Sequence, residues 1–463
     1  MAFIGREHEL GKLKDFYRSK TDNFAIVYGR RRVGKSELLR HSLISGDLPF
    51  VFLQCKGTGI RSNIDDLMAQ AAEAFGLPDL RPHDLEAALK MLFELMKNRP
   101  GILVLDEYPY LRDLLPGCDT LIQYLVDFYR SGGLKLVICG SYLDVMKGIS
   151  EYKSPLYGRS GLTLHLEPMD YLDSARFYPD FSNEDKVRLF SVFGGIPYYN
   201  AKIDSSMSVR ENVIRLLASK DAVLANEASY LLMMEISKVS NAERVFEAIA
   251  AGAQKFSDIL GKTSFSSSPA LADTLKRLVD MGFLRKVCPV NDEGNRKKIR
   301  YAFDDNLMDF YFRYIYRNQS RQTLLTADQF YQRYIADDFE TGYVPRHFEL
   351  IVRQFLIREN KAGRMDPPFF KIGPYWYDLA QERRNGEFDV VTEDDEGWIS
   401  WECKFRSSPM TQESVEQEIS QVRASPLPAK RFGFVSRAGF KDVREAPDRR
   451  FFTLGDVYAG LDV

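Results

Sequence analysis

The sequence predicts an α/β protein of several domains, led by a mainly parallel sheet with helices on both faces. Three observations carry this. The 463 residues correspond to about three folded units at roughly 150 residues each. Up to about residue 200, apolar strand-like runs alternate with helical patterns, as βαβ units require. Apolar residues make up 45% and charged residues 28%, a globular balance that excludes disorder or collagen-like repetition as the main state.

The strand candidates of this first stretch are 23–28, 50–53, 102–105, 134–139 and 163–166. Each is a short, nearly continuous apolar run, as expected of strands covered on both faces. Helical patterns at 64–75, 85–97 and 121–131 separate them. From about 201 the strand signal disappears. Residues 242–251, 256–260 and 268–281 read as three short helices. A strand at 282–287, a basic turn at 291–298 and a second strand at 299–303 follow. Three helices plus a two-stranded wing is the winged-helix pattern. From about 340 a helix around 348–356 leads into loops marked by Gly and Pro. Strands at 387–392 and 398–405, a helix at 412–423, a strand at 431–436 and a terminal helix complete a small α/β unit.

Charge and cysteine usage narrow the classes. With 63 basic and 65 acidic residues the formal net charge is -2, which excludes a strongly basic nucleic-acid coat but not a local basic groove. The five cysteines, Cys55, Cys118, Cys139, Cys288 and Cys403, form no CxxC pair, so a reducing cytoplasm is expected. The five histidines are scattered, and no Cys/His cluster suggests zinc. No apolar run approaches the roughly 18 to 20 residues of a membrane helix. The first residues, Met1 to Glu7, are charged almost at once and predict no secretory leader.

Gly29-Arg30-Arg31-Arg32-Val33-Gly34-Lys35-Ser36 fits GxxxxGK[ST], after an apolar strand and at the start of a helix. Such a match arises by chance about 0.02 times in a chain this long. Gly29 and Gly34 let backbone N–H groups turn toward phosphate oxygens, and the helix N-terminus favours their charge. Lys35 would bridge the β- and γ-phosphates of ATP, and the Ser36 hydroxyl would bind Mg²⁺. Ile102-Leu103-Val104-Leu105-Asp106-Glu107 is a buried strand ending in two carboxylates. Asp106 would hold the Mg²⁺ shell, and Glu107 would orient or deprotonate the attacking water.

These motifs resemble the AAA+/STAND class of P-loop ATPases, especially the archaeal-type ATPase family, over about residues 1–235. Phe3-Ile4-Gly5-Arg6-Glu7 resembles an N-terminal box that lies near the adenine in that class. Leu136-Val137-Ile138-Cys139-Gly140-Ser141 resembles its fourth core strand, which makes Ser141 either a polar sensor of nucleotide or simply the end of a strand. Ser154-Pro155-Leu156-Tyr157-Gly158-Arg159 and Gly194-Gly195-Ile196-Pro197-Tyr198 resemble two further segments. In the second, Pro197 would pack near the base. Arg159 is either an ion-pair arginine or an arginine finger, a role that would require a homo-oligomer. Arg30, Arg31 and Arg32 meet phosphate, a partner or a nearby carboxylate.

The third helix of the middle segment carries Asp273, Lys276 and Arg277, and the wing carries Arg296, Lys297, Lys298 and Arg300. This charge pattern is compatible with double-stranded DNA, or the unit packs only against its own chain. The aromatic run Phe310-Tyr311-Phe312-Arg313-Tyr314-Ile315-Tyr316 could stack bases, but its helical spacing favours a core face.

Near the C-terminus, Asp389 is followed after 13 residues by Glu402 and then by Lys404. On a strand, residues two apart share a face, so Glu402 and Lys404 point together across a hairpin from Asp389. Two carboxylates can hold Mg²⁺, and a lysine beside them can position water. Glu349, on the preceding helix, could add a carboxylate. As a bare pattern this is weak, with about 0.5 chance matches per chain of this size. In its order of elements it resembles the PD-(D/E)XK nuclease core, with Phe388 at the proline position and Gln417 and Gln421 on the next helix. The segment 371–404 also resembles the uncharacterised domain that commonly follows archaeal-type ATPases.

The expected organisation is a P-loop NTPase core at 1–200, a helical lid at 201–235 and a winged helix at 236–305. An aromatic helical connector at 306–340 and a restriction-endonuclease-like domain at 341–463 follow. The resemblances imply a cytoplasmic ATPase with ATP and Mg²⁺ as cofactors. It would be coupled to DNA binding and to cleavage by Asp389, Glu402 and Lys404. The alternative is a nucleotide-dependent interaction switch whose nuclease-like domain only docks.

Overall fold

A computed structural model describes residues 3–461 except Asp79, Ser131, Ser237, Lys238, Ser266, Ala380 and Gln381. The helix expected at 121–131 therefore ends on a residue outside the described ones; the helix itself spans Cys118–Phe128. The chain divides into two compact units, Met1–Pro168 with Ile196–Tyr198, and Met169–Gly195 with Tyr199–Val463.

The first unit is built on five parallel strands: β1 (Phe24–Gly29), β2 (Phe50–Gln54), β3 (Gly101–Asp106), β4 (Leu134–Gly140) and β5 (Leu162–Leu166). Their order in the sheet is β2-β3-β4-β1-β5. β3 and β4 are buried along their whole length because helices cover both faces. Phe24, Ile26, Leu53, Leu105 and Ile138 share one apolar cluster with helix residues such as Leu67, Leu89 and Ile122. Each such side chain contributes about 1.5–3 kcal/mol on burial. Parallel strands end together, so the residues after β1, β3 and β4 emerge along one edge.

The second unit holds the helices Ala242–Ala250, Phe256–Lys262 and Ser268–Asp280. The antiparallel pair β6 (Leu284–Val287) and β7 (Arg300–Phe303) follows them. The aromatic run beyond is interior: Phe310, Tyr311, Phe312, Tyr314 and Ile315 are buried, and Phe312 packs on Phe246 and Phe303. The rings of Phe310, Tyr311, Phe312 and Tyr314 therefore form a core face, as their helical spacing favoured, while Tyr316 is only partly buried.

The same unit ends in a mixed five-stranded sheet. Its members, with two short strands nearby, are β8 (Lys371–Leu379), β9 (Arg384–Asp394), β10 (Gly397–Lys404), β11 (Met410–Thr411), β12 (Arg431–Ser436), β13 (Phe440–Lys441) and β14 (Arg449–Thr453). The order is β14-β12-β10-β9-β8, while β11 pairs with β13. β8, β9 and β10 run antiparallel, and β10, β12 and β14 parallel. The helix Val344–Lys361 packs on β9 and β10. Trp401, fully buried on β10, donates its indole N–H to the Thr392 hydroxyl at 2.9 Å. Among the described residues no helix is long and apolar enough to cross a membrane.

Candidate functional site

β1 ends at Gly29, and the helix Lys35–Ile44 begins one loop later. Gly34 turns the chain into that helix with φ 96°, a left-handed conformation that glycine adopts without a Cβ penalty. Gly29 is needed for a different reason. A Cβ there would lie 2.3 Å from the Leu166 carbonyl oxygen. Lys35 is 5% exposed, and its ammonium donates to the Gly29 and Arg30 carbonyl oxygens, each at 2.9 Å. The positive charge therefore lies inside the curl of the loop, where phosphate oxygens would meet it.

The Ser36 hydroxyl donates to Asp106 Oδ2 at 2.7 Å. Asp106, 2% exposed, also accepts from the Glu107 backbone N–H at 3.1 Å through Oδ1. A hydroxyl and a carboxylate so placed are hard oxygen donors of the kind Mg²⁺ takes. Glu107 adopts φ 54°, which costs a non-glycine residue about 1–3 kcal/mol and persists only where neighbours hold it. Its neighbours do so: the Ser141 hydroxyl donates to Glu107 Oε2 at 2.9 Å and to Oε1 at 3.1 Å. β4 lies between β1 and β3, so Ser141 stands between the phosphate loop and Glu107.

Pro197 and Tyr198 also reach the loop. A Cβ on Gly34 would be 3.8 Å from Pro197 Cγ, and the Arg32 guanidinium lies 4.0 Å over the Tyr198 ring. Arg6 ties the chain start to the same place, donating to the Val33 carbonyl at 3.4 Å and the Glu167 carbonyl at 2.6 Å. The N-terminal box that the sequence singled out thus reaches the phosphate loop, though the carbonyl partners of Arg6 are not marked in it. Arg159 Nε meets both oxygens of Asp127 at 2.9 Å, and its Nη1 donates to the Pro155 carbonyl. It is an ion-pair arginine within its own chain.

The second group of charged residues lies on the C-terminal sheet. The last rung of the β9–β10 ladder pairs Trp401 with Val390, and Glu402 and Asp389 are the next residues on the two strands. The Cys403 N–H donates to Asp389 Oδ2 at 3.3 Å. Lys404 pairs with Glu402 on its own strand and, at 2.9 Å, with Glu418 on the helix Gln412–Arg423. Sequence reasoning chose Gln417 and Gln421 on that helix, and both are exposed. Which helical position faces the lysine depends on how the helix docks, and the pattern of residues does not state that.

The three carboxyls crowd one another. Burial first, then the Asp389 charge, pushes Glu349 well above the ordinary glutamate value. Burial raises Asp389, while the Cys403 N–H and Lys404 oppose the rise. Burial and Asp389 raise Glu402, against the pull of Lys404. Burial would lower Lys404, but Glu402 and Glu418 outweigh it and hold the ammonium charged. Partly buried carboxyls that raise one another lack countercharge, and a divalent cation would supply it. The donor set thus fits Mg²⁺ held by Asp389 and Glu402. Among the described residues, however, no three His, Cys, Asp or Glu side chains form a ready metal cage.

Of the basic residues expected to face DNA, three hold carboxylates, Lys276 and Lys297 are exposed with no acidic partner among the described residues, and the Arg296 side chain lies outside the described ones. Arg277 pairs with Asp273 at 3.0 Å and Lys298 with Asp292 at 2.9 Å. Arg300 Nη1 meets both oxygens of Glu387.

Comparison with known proteins agrees with this geometry. Residues 3–203 match the family described as an ATPase domain predominantly from Archaea. Residues 311–419 match a family of archaeal and bacterial proteins of unknown function. An uncharacterised protein of Methanocaldococcus jannaschii is 29% identical over 400 residues, 85% of this chain and 84% of its own. The Walker-type ATPase of Pyrococcus abyssi superposes with a TM-score of 0.51 at 20% identity, covering 67% of this chain and 96% of its own. The ORC2 protein of Aeropyrum pernix gives a TM-score of 0.45 at 14% identity, over 69% and 94% of the two chains. Residues 3–203 thus form a P-loop ATPase domain like those found predominantly in Archaea, and residues 311–419 resemble the family of unknown function.

Proposed function

We propose that this ATPase acts on DNA, and that its nucleotide cycle controls a Mg²⁺-dependent phosphodiester hydrolase in the C-terminal domain. The observation that carries the reading is Glu402 and Asp389 just past the last rung of the β9–β10 ladder and close enough to feel each other, with Lys404 paired to Glu402 and Glu349 near both charges. Asp389 and Glu402 would hold the ion, which would supply Lewis-acid activation of a phosphate oxygen or water. Lys404, kept charged by its two glutamates, would orient water and face developing negative charge. In the first unit Lys35 would bind the ATP phosphates, and Ser36 and Asp106 would hold Mg²⁺. Glu107, kept in place by Ser141, would orient the attacking water. Pro197 would pack near the base. The three helices with β6 and β7 would serve as a winged helix.

Incubation of plasmid DNA with Mg²⁺ or Mn²⁺, with and without ATP, tests the reading. Cleavage should appear in the parent protein and vanish in Asp389→Asn and Lys404→Ala.

A second reading rests on the Lys404 ion pairs. An ammonium held between Glu402 and Glu418 balances much of the site's charge internally, as in a domain that docks without chemistry. Absence of cleavage with either metal, alongside retained ATP hydrolysis, would favour a nucleotide-controlled docking switch.

A further inference from the structure

The three-helix segment carries a second charged surface, made from residues outside the third helix and the strand pair. Arg244, Glu247, Ala248, Lys262, Ser264 and Arg317 line an open concavity of about 380 Å³. Three cations face one carboxylate there. That carboxylate is taken: Arg317 Nε lies 3.4 Å from Glu247 Oε1, and Arg317 Nη2 donates to the Glu247 carbonyl at 2.6 Å. Lys262 gives one N–H to the Ala251 carbonyl at 3.1 Å, which leaves two of its three donors. Arg244 is exposed and has no acidic partner among the described residues.

The expected DNA-reading face is the alternative, and it is more heavily countered. There, Arg277, Lys298 and Arg300 already hold carboxylates, and among the described cations Lys276 and Lys297 have no acidic partner. A cation that must surrender one anion to meet another gains little, whereas Arg244 and Lys262 carry charge that no carboxylate neutralises. Guanidinium, ammonium and hydroxyl donors match phosphate oxygens. Ala248 is the one apolar side chain in the lining, whereas pockets for small ligands are enclosed and mostly apolar. An open polar concavity suits a charged backbone lying across the surface.

We infer that this concavity binds the phosphodiester backbone of double-stranded DNA, with Arg244 and Lys262 as its principal contacts. The inference rests on the reading that the protein acts on DNA, and it moves the contact away from the third helix and wing. Recognition here is independent of sequence, because the lining offers donors to phosphate and none aimed at base edges.

Fluorescence anisotropy of a labelled DNA duplex with the full chain, at several salt concentrations, tests it. The double variant Arg244→Gln/Lys262→Gln should bind at least about tenfold more weakly. Its slope of log affinity against log salt should be shallower by roughly 2, for two lost phosphate contacts. The control variant Lys276→Gln/Lys297→Gln, on the third helix and wing, should bind like the parent. Unaltered thermal unfolding and ATP hydrolysis will show that the variants are folded. If the control weakens binding and the Arg244/Lys262 variant does not, the inference falls while DNA binding stands. If the parent binds no duplex at any salt concentration, both fall.

Discussion

Arg300 and Glu387, 87 residues apart, are joined through a single guanidinium nitrogen that meets both carboxylate oxygens at 2.9 and 2.8 Å. The same guanidinium lies 4.0 Å over the Trp376 ring. Nearby, the Val290 N–H donates to the Pro374 carbonyl at 2.9 Å, so the β6–β7 hairpin is anchored on β8 and β9. Glu387 stands two residues before Asp389, and its charge helps to raise both Asp389 and Glu349. The hairpin thus supplies countercharge to the acidic group on the sheet.

Replacing Arg300 with Ala should lower unfolding stability by about 1–2 kcal/mol, the sum of an exposed ion pair and a cation–π contact. A double-mutant cycle with Glu387→Gln should assign roughly 0.2–1 kcal/mol to the pair itself, since Glu387 is 53% exposed. Urea unfolding of the four proteins measures both.

Lys35→Ala should weaken ATP binding roughly ten- to hundredfold or more, the loss expected for a buried charge-assisted contact. Calorimetric titration of ATP is the check, and retained tight binding would remove Lys35 from the phosphate site.

Ser141→Ala should leave ATP affinity near the parent value and lower kcat roughly tenfold or more. It removes the hydroxyl that holds Glu107 at 2.9 Å and leaves the loop untouched. Steady-state phosphate release separates kcat from KM. Equal loss in Ser141→Ala and Lys35→Ala binding would contradict the division of roles.

Glu349 should make the fold less stable as pH rises. Its folded pKa is raised by burial and by Asp389, so the folded state keeps a proton that the unfolded chain loses above the ordinary value of 4.5. Stability from this group is therefore fully present below that value and is lost as pH climbs toward the raised one. Glu349→Gln should flatten the decline in Tm between about pH 5 and 8. Mg²⁺ should raise Tm in the parent and have no such effect in Asp389→Asn/Glu402→Gln.

Gly29→Ala should abolish nucleotide binding and lower Tm sharply, because the added Cβ would meet the Leu166 carbonyl oxygen, a backbone atom with little room to yield. Circular dichroism melting and ATP titration check the two halves of this expectation.

The phosphate loop was legible because a spacing motif, an apolar strand and a helix start coincide within one short stretch. The nearness of Asp389 to Glu402 was legible too, since a hairpin brings both to the same end of the β9–β10 ladder. β8 was not. Gly373 and Pro374 read as loop punctuation, yet β8 is an edge strand, where a missing N–H is tolerated, and the register shifts between Gly373 and Tyr375. The carbonyl partners of Arg6, the Glu418 contact and the Arg300–Glu387 pair escaped for a shared reason. Each depends on a partner far along the chain, and a local pattern records the charge without its destination.

The position of β4 sets an order of events during synthesis. Both phosphate-site motifs, Gly29 to Ser36 and Asp106-Glu107, are synthesised before Leu134 is added. At that stage β1 and β3 have no neighbour in common, because the strand that separates them in the finished sheet has not been made. The Ser141 hydroxyl and the Leu166 carbonyl arrive later still. A nascent chain therefore carries the signature of a nucleotide site well before it can hold a nucleotide. The sheet that frames the phosphate loop is complete only once translation has passed β5.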